Sequence, residues 1–181
     1  MRSLKIFLSA LSLFAFAVML FAGCSSISVT QDYDPAYDFA KLKTFGFIPI
    51  PADAGIDQIN ADRLSTAIKT SLTAKGYTLS EKADFGVALY FSKSTKTNIQ
   101  SYGYGYGYGW RGMGGIQSVD VSQYEEGTLV IDFIDVKENK LVWRGAGTGT
   151  LAQTPTVEER TAKINEAVTK ILGQFPPTKV K

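Results

Sequence analysis

The stretch over residues 124–150, YEEGTLVIDFIDVKENKLVWRGAGTGT, constrains the fold more than any other. Two apolar runs rich in β-branched and aromatic residues flank a short polar loop, the pattern of a β-hairpin and not of a helix. In the first run Leu129, Ile131 and Phe133 point to one side, while Val130 and Ile134 flank Asp132 on the other. A strand that is apolar on much of both faces belongs in the middle of a sheet. Val136, Lys137, Glu138, Asn139 and Lys140 supply the turn, with Asn139 the residue that best tolerates a left-handed conformation. Leu141, Val142 and Trp143 form the return strand, and Gly145, Gly147 and Gly149 predict close backbone approach or bulges.

The rest of the chain falls into place around that hairpin. Ile27, Val29 and Tyr33 suggest a first strand, which ends at Asp34-Pro35 because the residue before proline disfavours helix. Residues 43–48 read as a second strand, with Gly46 marking a bulge and Pro49 and Pro51 ending the run. Over 60–75 the spacing of Leu64, Ala67, Ile68 and Leu72 predicts a helix, with Asn60 or Asp57 as N-cap and Gly76 as the stop. Phe85, Val87, Leu89 and Phe91 alternate along a strand over 84–92, and Ile116, Val119 and Val121 mark another over 115–124. A second helix spans 156–172: Thr156 and Glu159 are spaced as a capping box, Ile164, Ala167, Val168, Ile171 and Phe175 form an apolar stripe, and Gly173 with Pro176-Pro177 stops it. The expected fold class is α+β, a two-layer domain whose mostly antiparallel sheet of about five to six strands carries both helices on one face. It occupies residues 29–177 as a single domain, followed by a tail at 178–181. A 181-residue chain that is 45% apolar suits one globular domain, which at this size buries roughly two-thirds of its unfolded surface and needs no disulfide or metal to fold.

The amino terminus carries an address. Arg2 and Lys5 precede an apolar run from Ile6 to Leu20 broken only by serines, followed by Phe21, Ala22, Gly23 and Cys24, the plan of a signal peptide over 1–23. As a helix that run reaches only about 22 Å against about 30 Å of hydrocarbon, too short for a span. Leu20-Phe21-Ala22-Gly23-Cys24 resembles the bacterial lipobox, with Phe21 where Leu is usual. The resemblance implies that the single cysteine becomes the acylated first residue, with 24–28 as tether, and that Ser25 after it directs the protein to the outer membrane. Acyl chains at about 0.8 kcal/mol per buried CH₂ make such an anchor effectively permanent. An anchored Cys24 also leaves no thiol for a disulfide or a nucleophile. Without Arg2 and Lys5 the 19 basic residues fall to match the 17 acidic ones, so no charge excess is left to attract nucleic acid.

Residues 102–115, YGYGYGYGWRGMGG, are of low complexity. Extended, they place Tyr102, Tyr104, Tyr106, Tyr108 and Trp110 on one face, a ribbon able to stack on sugar rings or on an aromatic protein surface. Glycine-rich backbone loses much entropy on ordering and has no second face to bury, which favours a mobile loop. The G-x-G-x-x-G match at Gly107, Gly109 and Gly112 has no helix after it and signals no dinucleotide.

Asp32-Tyr33-Asp34-Pro35, Asp38-Phe39, Lys43-Thr44-Phe45, Gly76-Tyr77, Ala83-Asp84-Phe85, Glu126-Gly127-Thr128-Leu129, Leu141-Val142-Trp143-Arg144-Gly145 and Phe175-Pro176-Pro177 together resemble the bacterial lipoprotein family called domain of unknown function 4136. The resemblance covers nearly the whole chain after the leader. Many relatives carry a Gly/Tyr-rich insertion near the present one, and often Trp where this chain has Phe47. It implies a small α+β envelope domain, and it supplies no activity and no catalytic residue.

The chain has no histidine, which excludes a Ser-His-Asp triad, a histidine base and a histidine-ligated metal. Carboxylates remain: Glu125 with Glu126, or Asp132 with Asp135, are the conceivable acid and base of a glycosidase. Adjacent residues of a strand face opposite ways, which argues against the glutamates sharing a site. Asp132 on an apolar face needs a partner, and Arg144 on the return strand is the candidate. Asp32, Asp34 and Asp38 lack the ligand pattern of a calcium loop and are explained by turn chemistry. The expectation is a non-enzymatic lipoprotein with no metal and no cofactor, held at the outer membrane by its covalent lipid anchor. Its domain faces the periplasm and binds or supports another envelope component, an unidentified envelope protein or peptidoglycan, and no nucleic acid. The alternatives are a peptidoglycan- or glycan-binding module that uses the Tyr/Gly loop, and a carboxylate-dependent glycosidase.

Overall fold

The structure, a computed structural model, describes residues 27–102 and 118–178, with side chains at 27–97 and 122–178. The leader over 1–23, Cys24, the Tyr/Gly segment beyond Tyr102 and the end of the tail at 179–181 lie outside the described residues.

The hairpin stands at the centre of the molecule. Its strands, β5 (Ser118–Asp135) and β6 (Lys140–Thr150), pair antiparallel, and Asn139 turns the chain at φ 48°. The other strands are β1 (Ser28–Tyr33), β2 (Thr44–Phe47), β3 (Thr78–Leu79) and β4 (Phe85–Tyr102), in the spatial order β1-β6-β5-β4-β2-β3. Each neighbouring pair in the run β1, β6, β5 and β4 is antiparallel, whereas β2 runs parallel to both β3 and β4. The parallel pairs follow from a helical crossover, α1 (Gln58–Ala74), which leaves the end of β2 and returns the chain to its starting side. The second helix, α2 (Val157–Leu172), follows β6. The fold is therefore α+β, a six-stranded mixed and mostly antiparallel sheet with two helices.

Local chemistry fixes the helix starts. The Asp57 carboxylate accepts the Asn60 N–H at 2.9 Å, so Asp57 and not Asn60 is the N-cap of α1. Thr156 accepts the Glu159 N–H while Glu159 accepts the Thr156 N–H, closing the capping box of α2. The short β3 and a 3-10 turn over Phe39–Lys41 carry too few residues for periodicity and are not expected from sequence. Gly46 marks no bulge: Phe45–Phe47 pair without interruption with Phe85–Val87, and a Cβ there would lie 3.2 Å from the Ser80 carbonyl oxygen. The one irregularity between β5 and β6 falls between Phe133 and Ile134. Gly145 instead answers to packing, since a Cβ there would lie 2.4 Å from the Trp143 ring and 2.5 Å from Ile171.

Phe85, Val87 and Leu89 of β4, Leu129, Ile131 and Phe133 of β5, and Trp143 of β6 are buried together with Leu64, Ile68 and Leu72 of α1 and Val168, Ile171 and Leu172 of α2. Phe175, just past α2, sits among the rings of Phe39, Tyr77, Phe85, Phe133 and Trp143 at centroid distances of 4.6–6.2 Å. Aromatic residues that are scattered along the sequence thus form one cluster that ties both ends of the domain to the sheet.

β4 and β5 are far longer than their apolar segments. Each has 18 residues, and they pair from Phe85 opposite Asp135 to Tyr102 opposite Ser118. The strand expected over 84–92 continues to Tyr102, and the one expected over 115–124 is continuous with the first strand of the hairpin. β2 pairs with β4 only as far as Val87, and β6 ends with Thr150 opposite Glu126. Beyond those points β4 and β5 continue as a two-stranded ribbon, which at about 3.3 Å per residue runs roughly 30 Å from Ser92 to Tyr102.

Candidate functional site

The sheet's helix-free face carries a buried charge. Asp132 is 4% exposed, and its register neighbours are Ala88 on β4 and Arg144 on β6. Arg144 donates from Nε to Oδ1 at 2.7 Å and from an Nη to Oδ2 at 2.6 Å, a bidentate pair that fills the carboxylate's two oxygens. The partner expected from sequence is thus in place, and Asp132 holds the Arg144 guanidinium even more firmly in its charged form. In register beyond Arg144 lies Asp32 on β1, so the charges alternate in sign across three strands.

Asp135 lies on the opposite face of β5, three residues along an alternating strand. Burial pushes its carboxyl up, but the Tyr37 hydroxyl, the Glu138 N–H at 2.8 Å and Lys41 at 3.6 Å outweigh it and hold Asp135 below the usual carboxylate range. Tyr37 in turn is pushed up, first by burial and then by Asp135. Lys41 closes the cluster, reaching Glu138 at 3.1 Å and standing 4.1 Å above the Tyr37 ring. Nearby, one oxygen of Asp84 accepts the N–H groups of Lys43 and Thr44 and the Thr44 hydroxyl at 2.8–2.9 Å, which lowers its proton affinity. This carboxylate fastens the start of β2 to the start of β4.

These placements bear on the conceivable acid and base pairs. Asp132 and Asp135 face opposite sides of the sheet, and each is already bonded. A general acid at neutral pH must hold its proton, and Asp84 and Asp135 are shifted the other way. Glu125 and Glu126 are adjacent on β5 and so face opposite ways, Glu126 lying 3.9 Å from Lys96. Asp34 accepts the Ala36 N–H and pairs with Lys140, and Asp38 accepts the Ala40 N–H, the local turn chemistry expected of them, whereas Asp32 lies within β1 and accepts the Tyr33 N–H. Among the described residues no three such ligands converge.

Two surfaces remain as candidates for binding. One is a groove of about 340 Å³ whose walls include Asp38, Lys43, Lys75, Tyr77, Pro176 and Pro177. Sequence reading treats these as separate motifs; the fold brings them to one end of the sheet, above the Phe175 cluster. The other is the ribbon, where 92–97 and 122–125 are exposed. Tyr102 pairs with Ser118 at its far end, while Tyr104, Tyr106, Tyr108 and Trp110 lie outside the described residues. The aromatic segment therefore begins at the outer end of a projecting arm. Sequence reading finds the β5 half of the arm, in the strand expected over 115–124, and misses the β4 half because its Ser, Thr, Lys and Asn residues carry no apolar period.

A family model described as domain of unknown function (DUF4136) matches residues 29–177. Among curated proteins no sequence matches. Among solved structures the chain is similar to a PDZ domain protein from Parabacteroides distasonis at 17% identity and a TM-score of 0.53, covering 86% of this chain and 36% of that one. It thus spans about a third of the length of that relative. The PelC dodecamer from Paraburkholderia phytofirmans matches at 14% identity and a TM-score of 0.46, over 81% of this chain and 94% of that one. The likeness to the PDZ domain protein shows a shared fold and nothing more.

Proposed function

The chain belongs to the DUF4136 family, and from that premise we propose that it is an outer-membrane-anchored lipoprotein whose periplasmic domain binds or supports another envelope component without catalysing a reaction. The observation that carries the binding role is the ribbon: β4 and β5 run on past the sheet with exposed side chains at 92–97 and 122–125, an arm that the core does not require. Supporting a non-enzymatic reading, the buried carboxylates Asp132 and Asp135 are consumed by Arg144 and by Tyr37, Lys41 and the Glu138 N–H. The lipobox-like sequence ending at Cys24 supports the anchor. Mass spectrometry of the mature amino terminus is expected to find an acylated Cys24, and an unmodified terminus elsewhere removes the anchor. A photo-crosslinker at Ser122, activated in intact envelopes, is expected to capture an envelope component. Turnover of envelope glycans or lipids by the purified protein, abolished by one carboxylate substitution, overturns the non-enzymatic reading.

A second reading is favoured by where Tyr102 sits. Tyr102, the first aromatic of the Tyr/Gly segment, pairs with Ser118 at the outer end of the arm, and aromatic rings presented away from a core are what stacking on peptidoglycan sugars uses. Replacing Tyr102, Tyr104, Tyr106, Tyr108 and Trp110 by Ser is expected to abolish retention by peptidoglycan sacculi; unchanged retention removes the idea.

A further inference from the structure

The ribbon has two edges, and among the described residues both carry backbone groups with no strand beside them. On β4 the Val87 carbonyl accepts from Ile48 and the Phe91 N–H donates to Ala54, so its odd-numbered residues turn their N–H and C=O groups away from β5. The same alternation aims the backbone groups of Lys93, Thr95 and Thr97 outward, past the last contact with the chain around β2. On β5 the Glu125 carbonyl accepts the Leu151 N–H, which puts Gln123 next on the open side, past the end of β6. Among the described residues neither edge has a further strand neighbour. Open strand edges of this kind are templates for pairing with another chain.

Charge decides which pairing the ribbon permits. The β4 arm carries Lys93 and Lys96; the β5 arm carries Glu125 and Glu126. Setting β4 beside another β4 brings lysines together, and β5 beside β5 brings glutamates together, each of which is destabilising. Only β4 beside β5 joins opposite charges. With the arms pointing the same way, β4 of one copy meets β5 of the next antiparallel, as it does inside each copy, where Thr95 stands opposite Glu125. Between copies the open edge of β5 starts at Gln123, and with Lys93 set opposite Gln123, Lys93 and Glu125 share a face one diagonal step apart, all three being odd-numbered residues. We propose that the ribbon joins copies of this chain head to tail, the basic β4 edge of one pairing with the acidic β5 edge of the next. A repeated contact of this heterologous kind closes into a ring when the rotation per copy allows, and a ring leaves no edge open. The assembly does not depend on the anchor or on capture of an envelope component, and it is tested on purified protein.

Native mass spectrometry of the full chain extracted in mild detergent is expected to find a discrete oligomer, and a photo-crosslinker at Thr95 is expected to join a neighbour's peptide containing Gln123. Lys93→Glu and Glu125→Lys each set like charges against each other and are expected to weaken assembly about fivefold to tenfold per contact. The double variant Lys93→Glu/Glu125→Lys restores the pairing with reversed signs and is expected to recover the oligomer. Because these side chains are exposed, thermal melts of all three are expected to match the parent. A monomer at all concentrations overturns the proposal, as do single variants that assemble normally, a double variant no better than the singles, or crosslinks that join Thr95 to Thr95 or only to a different protein.

Discussion

Replacing Arg144 by Met tests whether the charge on the sheet's open face is structural. The substitution keeps a long side chain over the sheet but removes two charge-assisted hydrogen bonds of 2.7 and 2.6 Å, leaving Asp132 4% exposed between Val130 and Ile134. Breaking a buried pair from one side costs about 3–5 kcal/mol because the survivor keeps an uncompensated charge. The Arg144 side chain is itself 50% exposed, so water reaches Asp132 once the guanidinium is gone. The discounted expectation is about 2–4 kcal/mol, a large share of the roughly 5–15 kcal/mol that holds a domain of this size together. Asp132→Val/Arg144→Met removes both charges and puts a β-branched residue on a strand; it is expected to fall within about 1 kcal/mol of the parent. Urea unfolding followed by tryptophan fluorescence, with Trp143 next to Phe133 in the core, gives the midpoints, and the slope is expected to stay constant. The reasoning fails if Arg144→Met costs under about 1 kcal/mol, or if the double variant loses as much as the two single variants summed, since the side chains are then uncoupled.

Gly145→Ala is expected to lower the melting temperature by about 3–10 °C, because its methyl group meets the buried Trp143 ring and Ile171 and overpacking costs about 1–3 kcal/mol. Phe175→Ala empties the middle of the aromatic cluster and is expected to cost about 3–5 kcal/mol in a urea titration, with near-ultraviolet dichroism weakened. Asp84 and Asp135 are held below the ordinary carboxylate value of 3.8, so their stabilisation is fully present above that value and is lost as the pH falls through their lower folded values. The unfolding midpoint is therefore expected to drop below about pH 4. Asp135→Asn, weaker at neutral pH, is expected to show a shallower acid slope, and an equal slope refutes the assignment.

How far the fold is legible in the sequence depends on what each element is bonded to. The hairpin, both helices and their caps follow from apolar period and capping chemistry, because Leu129, Ile131 and Phe133 alternate and Thr156 stands three residues before Glu159. β3 is missed because two residues carry no period, and the parallel direction of β2 is set by the crossover through α1 and not by anything within its own four residues. The Asp132–Arg144 pair is legible because a carboxylate on an apolar face demands a partner. The Asp135 cluster is not, since Tyr37 and Lys41 reach it from nearly a hundred residues away in sequence and nothing local marks them.

The β4 half of the arm is the instructive failure, the β5 half being expected as a strand over 115–124. Strand prediction looks for a face to bury, and Ser92, Lys93, Ser94, Thr95, Lys96 and Thr97 offer none, so the apolar run ends the expected strand near Ser92. Yet the ladder with β5 continues without a slip from Leu89 opposite Ile131 to Tyr102 opposite Ser118. Backbone hydrogen bonds keep the register once the core has set it, and β-branched threonines keep the chain extended. A two-stranded ribbon standing alone in water is marginal. That one persists over this length, with polar, exposed residues over 92–97 and opposite charges on its two strands, is the physical reason to look for what completes it. A third strand supplied by a neighbouring copy satisfies the outward groups of Lys93, Thr95 and Thr97 and matches Lys93 with Glu125. The same Lys and Glu residues that turn away a like edge are then what select the right one.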